Sequence, residues 1–121
     1  MVLLDTNVFI YLVNGTLDVS LLGANDVAYS AITKIEALGY WKITVNELDD
    51  LGQLFGQFES LDLDEPVVQR AIKLRQRHRM TLGDAIIAAT ALESGCELWT
   101  ANEDDFVGID DLRLYNPLAG E

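Results

Sequence analysis

The chain has 121 residues, 50% of them hydrophobic, which suits one domain spanning residues 1–121 with a sizeable core and leaves no room for a second. Lys and Arg total 8 against 20 Asp and Glu, and the formal net charge of −12 argues against a polyanion binder working through a broad basic surface. One cysteine, Cys96, makes an intrachain disulfide impossible, and the apolar stretch from Ala85 to Leu92 falls well short of the ~18 residues of a membrane span, so a cytoplasmic protein without a membrane segment is expected.

Val2-Leu3-Leu4 reads as a buried strand ending at Asp5, followed by a helix from Thr6 to Val13 with Val8, Phe9, Leu12 and Val13 on its apolar face. Asn14-Gly15 closes that helix, Leu17 to Leu22 forms a short second one, and Asp26 to Tyr29 the next strand. Ser30 caps a third helix with Ile32, Ile35, Leu38 and Trp41 on one side and Glu36 at the edge of that face. From Asn46, the cap, to Phe58, the residues Leu48, Leu51, Leu54, Phe55 and Phe58 recur at helical spacing. Leu61 to Leu63 alternates like a brief strand. Pro66 opens a helix reaching about Arg79, and Thr81 opens an apolar helix ending near Gly95. Glu97 to Thr100 and Leu112 to Tyr115 read as two further strands.

This alternation predicts an α/β fold: a mainly parallel sheet of four to five strands covered by helices on both faces. Ligands bind such sheets beyond the carboxyl ends of the strands. Asp5 lies there, as do Glu36 after the second strand and Asp105 after Thr100 and Asn102, while Asp84 sits on a helix whose N-terminus can aim at the same place. Each acid also has an ordinary explanation. Asp5 suits a helix cap, Thr81-Leu82-Gly83-Asp84 matches a capping box, Glu36 suits a solvated helix face, and Asp105 suits a polar turn. Gathered together, however, four carboxylates in apolar surroundings need compensation, and Mg²⁺ held by oxygen ligands is the usual form it takes.

The order Asp, Glu, Asp, Asp and the segments around it carry a resemblance. Leu4-Asp5-Thr6-Asn7, Ser30-Ala31-Ile32-Thr33 through Glu36 to Gly39, Leu82 through Ala91, and Thr100 through Phe106 together resemble PIN-domain ribonucleases, and within them the VapC-type toxins of bacterial and archaeal toxin–antitoxin pairs. The resemblance implies a three-layer α/β/α domain and Mg²⁺- or Mn²⁺-dependent cleavage of RNA. It also implies a VapB-like antitoxin partner and a homodimer. It maps Asp5, Glu36 and Asp84 onto the family's acidic triad; Asp105 is taken as the fourth acid, with Asn102 standing where many relatives carry an Asp. Asn7 and Thr100 are candidates for orienting the ligands, with ordinary turn residues as the alternative.

Five of the eight basic residues fall between Arg70 and Arg79, which offers Arg75, Arg77 and Arg79 to RNA phosphates or, alternatively, makes a solvated helix face. Tyr40, Trp41, Phe55 and Phe58 are read as core, with partner contact as the second option. Other short α/β folds fit less well. A receiver domain needs a lysine after a late strand, and none follows Lys73. A haloacid-dehalogenase-type phosphatase wants an Asp at position 7, where Asn7 stands, and the glycine-lysine signature of P-loop chemistry is missing. A PIN-fold protein that keeps the acids but acts as a silent binding or regulatory partner is the rival from another class.

Overall fold

The computed structural model describes residues 1–119. Strand β1 (Val2–Leu4) leads into helix α1 (Thr6–Val13), a 3₁₀ turn at Val19–Leu22, strand β2 (Val27–Ser30) and helix α2 (Ala31–Leu38). Helix α3 (Val45–Phe55), strand β3 (Glu59–Leu61), helix α4 (Glu65–Arg77) and helix α5 (Leu82–Ser94) follow. Strand β4 (Glu97–Trp99), a 3₁₀ turn at Glu103–Asp105 and strand β5 (Leu114–Tyr115) complete the sheet. Among the described residues the sheet has five strands in the order β3-β2-β1-β4-β5, every pairing parallel. The expected α/β architecture is therefore observed. Among the described residues, no helix is long and apolar enough to cross a membrane.

Alternation along the central strands divides the core in two, because successive strand side chains point to opposite faces. Leu3, Ala28 and Leu98 pack against Val67, Ala71 and Leu74 of α4 and the Ala85–Ala91 run of α5. Val2, Leu4, Val27, Tyr29 and Trp99 face the other way, onto α1 and α3. There Phe9 stacks on Phe55 with ring centroids 4.4 Å apart and meets Tyr29 edge-on. Helix α5 runs through the first of these cores, buried continuously from Ala85 to Ala91, so its alanines let it approach the sheet closely. Gly95 ends it in the left-handed conformation, at φ 68°.

Several expectations need correction. Helix α2 buries Thr33 and Ala37 rather than an isoleucine stripe: Ile35 is 67% exposed, and Trp41, beyond the Gly39 cap, is 83% exposed. Helix α3 begins at Val45 and is capped by Thr44, not Asn46, in a reciprocal box with Glu47, and it stops at Phe55. The third strand lies two residues earlier than its alternation suggested, at Glu59–Leu61. Helix α4 ends at Arg77, short of Arg79, and Leu17 lies outside the 3₁₀ turn that follows it.

Candidate functional site

The carboxyl ends of β1, β2 and β4 and the N-terminus of α5 enclose a cleft of about 250 Å³ lined by Asp5, Thr6, Asn7, Glu36, Asp84, Ile87, Asn102 and Asp105. All four acids singled out in the sequence thus face one space, and both candidates for the fourth position, Asn102 and Asp105, line it. Asn7 lines it too, whereas Thr100 does not: it is fully buried and hydrogen-bonds Asp5.

Each acid arrives by a different local device. Asp5 is 6% exposed and caps α1 by accepting the Val8 N–H at 3.1 Å, so its capping role and its place in the cleft coincide. A carboxylate has about four acceptor positions, so the bonds from Val8, Asn7 and Thr100 leave one for a ligand. Asp84 stands at the third position of α5, where its N–H donates to Thr81 Oγ1 at 3.1 Å while its carboxylate lines the cleft. Ile87, one turn on, shares that face. Asp105 is presented by the 3₁₀ turn, anchored from within by the buried Phe106 and by the bond from Asp105 N–H to the Asn102 carbonyl at 3.0 Å.

Glu36 has a partner that the sequence reading missed. Thr6 Oγ1 donates to Glu36 Oε1 at 2.7 Å, and Thr33 Oγ1 stands 3.4 Å from Thr6 Oγ1. A hydroxyl has one proton and a carboxylate can only accept, so Thr6 gives its proton to Glu36, the nearer of the two partners. The other carboxylate oxygen, Oε2, leans over Gly83, where a Cβ would lie only 2.6 Å away. Thr6 was visible within the Asp5-Thr6-Asn7 segment; Gly83 carried no signal that sequence alone could weigh.

Burial holds the Asp5 carboxyl above the ordinary aspartate range, the nearby Asp84 charge adds to this, and bonds from Thr100 and the Val8 N–H oppose it. Burial likewise raises Asp84, followed by the charges of Asp105 and Glu36, with Thr81 pulling the other way. Desolvation, more than crowding of like charges, is thus the larger cause at both. The donor set fits a hard divalent cation: carboxylate oxygens and the amide oxygens of Asn7 and Asn102, with no basic side chain in the lining among the described residues. The acids surround the cleft rather than converge on a point, and among the described residues no three His, Cys, Asp or Glu side chains form a ready-made cluster for an ion.

The basic residues lie elsewhere. Arg70, Lys73 and Arg77 line two grooves along α4, one with Glu93 and one with Asp110 and Asp111. Arg75 lines an apolar groove with Leu63, Ile72 and Leu82, and Arg79 is exposed beyond the helix. None of Arg75, Arg77 and Arg79 lines the acidic cleft. The four aromatics divide: Phe55 is buried and Phe58 packs against the same core, while Tyr40 and Trp41 are exposed. Tyr40 lines a second, mainly apolar cleft of about 290 Å³, with Ile10, Ile43 and Leu51, which shares Thr6, Asn7 and Glu36 with the acidic one.

The fold has known relatives. The family model described as the PIN domain matches residues 2–112. A toxin–antitoxin complex from Klebsiella pneumoniae superposes with a TM-score of 0.78 at 29% identity, covering 97% of this chain and 98% of that one. FitAcB from Neisseria gonorrhoeae is similar at 28% identity with a TM-score of 0.72, over 97% and 98% of the two chains. DNA-bound VapBC from Salmonella typhimurium shares the fold, with a TM-score of 0.85 at 21% identity over 96% and 98%. No curated protein sequence gives a significant match.

Proposed function

The chain belongs to the PIN-domain family, and on that premise we propose that it is a Mg²⁺- or Mn²⁺-dependent endoribonuclease, the toxin of a VapBC-type pair. The observation that carries the reading is the one cleft lined by Asp5, Glu36, Asp84 and Asp105, with no basic side chain in its lining among the described residues. Such a set is costly unless a cation compensates it.

Asp5 and Asp84 would hold the cation, being the two acids most removed from water. When bound, the cation supplies phosphate charge neutralisation and an acidified water at neutral pH. Glu36, kept in place by Thr6, orients or deprotonates the attacking water. Asp105 helps hold that water, and Asn102 adds a neutral carbonyl oxygen or a hydrogen bond. Thr100 and Asn7 steady Asp5, one through its hydroxyl and the other through its backbone N–H. Arg75, Arg77 and Arg79 act at a distance from the cleft, on the flanking phosphates of the RNA.

The protein would work in the cytoplasm as a single domain and a homodimer, restrained by a VapB-like antitoxin. Support for a protein partner comes from the exposed Tyr40, Trp41 and Val45 beside the apolar cleft, and from the similarity to the Klebsiella pneumoniae toxin–antitoxin complex. The test is cleavage of structured RNAs with Mg²⁺ or Mn²⁺. Wild type should cut, and Asp5→Asn, Asp84→Asn or EDTA should stop it; cutting that survives all three would overturn the reading.

A further inference from the structure

We propose that Thr6 and Gly83 together form the seat of the Glu36 carboxylate, so that Glu36 reaches the cleft only because one residue donates to it and the other has no side chain. The inference rests on the metal-site reading above and assigns it two positioning residues. Glu36 is on an exposed stretch of α2, where a long side chain is free to turn into solvent and gains entropy by doing so. Two contacts oppose that freedom. The Thr6 hydroxyl donates to Oε1 at 2.7 Å, and its one proton is committed there because a carboxylate can only accept and the rival contact, to the fully buried Thr33, is longer at 3.4 Å.

Oε2 occupies the volume that a side chain at position 83 would fill, 2.6 Å from the place of a Cβ and far inside van der Waals contact. Gly83 lies in the first turn of α5, between Leu82 and Asp84. Its φ is outside the left-handed region, so neither the helix nor the backbone conformation requires glycine there. Within a helix glycine is the poorer choice, since alanine has the higher propensity. What glycine provides at this position is room for Glu36 beside Asp84.

The two contacts make separate demands that one experiment distinguishes. Manganese affinity is measured by calorimetry for wild type, Gly83→Ala, Thr6→Val and Thr6→Ser, and for the first two changes again in a Glu36→Ala background; metal-free melting is recorded for each. Gly83→Ala and Thr6→Val should each weaken Mn²⁺ binding on the order of tenfold, the usual cost of losing a supporting contact. Thr6→Ser should bind like wild type. In Glu36→Ala both substitutions should be silent, and Gly83→Ala should melt no lower than wild type without metal. Wild-type affinity in Gly83→Ala and Thr6→Val, or an equal loss whether or not Glu36 is present, overturns the seat and leaves the metal site standing. A wild type that binds no Mn²⁺ overturns both.

Discussion

The acidic cleft and the basic face of α4 show two opposite treatments of charge in one small molecule. Along α4 the cations are dispersed: Arg70 pairs with Glu93 at 2.6 Å, Lys73 and Arg77 share a groove with Asp110 and Asp111, and Arg75 borders an apolar one. These groups are solvated, and such pairs stabilise a fold by no more than about 1 kcal/mol. In the cleft the acids face one another, and the two least exposed, Asp5 and Asp84, have raised pKa values. A chain with 20 acids could have placed any of them on its surface. Keeping four in a partly buried cleft without a counter-charge marks a place where stability is given up, as functional sites commonly are.

The comparison breaks most visibly if the cleft acids can be neutralised without loss. Asp5→Asn and Asp84→Asn should each lower metal-dependent RNA cleavage by at least about a hundredfold, since a metal's charge stabilisation amounts to several kcal/mol and each ~1.4 kcal/mol is tenfold. Initial rates on a labelled structured RNA measure this. Next in size, Mn²⁺ at a hundred times its dissociation constant should stabilise the wild-type fold by about 2.7 kcal/mol and the double variant hardly at all, as read from urea unfolding.

The pH dependence of the metal-free protein sharpens the contrast. Raised values for Asp5 and Asp84 mean that the folded state holds protons more tightly than the unfolded chain. Their contribution to stability is therefore fully present below the ordinary aspartate value of 3.8 and is lost as pH rises through the raised values. Urea midpoints should fall as pH rises from the ordinary aspartate value through the raised ones in wild type, and less steeply in the Asp5→Asn, Asp84→Asn double variant. The smallest effects belong to α4. Breaking the Arg70–Glu93 pair with Glu93→Gln should change stability by less than about 1 kcal/mol. Replacing Arg75, Arg77 and Arg79 by Gln should reduce the salt dependence of RNA binding by about one unit of log–log slope per lost phosphate contact.

Much of this was legible in the sequence where the signal is local. Helices α1 and α5 carry their own punctuation, Asp5 and Thr81 at the start and Asn14 and Gly95 at the end, and both were placed closely. Helix α2 was misread because its burial is made by Thr33 and Ala37, small residues that let it fit among neighbouring helices, while the conspicuous Ile35 points outward. The Thr44–Glu47 box of α3 was overlooked in favour of Asn46, and the edge strand β3 is too exposed to show a clear alternation. The four acids were found through their order and flanking segments. Thr6 and Gly83 were not, because the meaning of a missing side chain at Gly83 depends on a carboxylate from another helix.

On the function proposed above, the cleft carboxylates form one divalent-cation site and the α4 charges do not. Calorimetric titration of Mn²⁺ into wild type, Asp5→Asn, Asp84→Asn and Glu93→Gln tests it most directly. Binding should be saturable in wild type and Glu93→Gln and should be lost in both aspartate variants. Equal binding in all four proteins, or none in wild type, would contradict it.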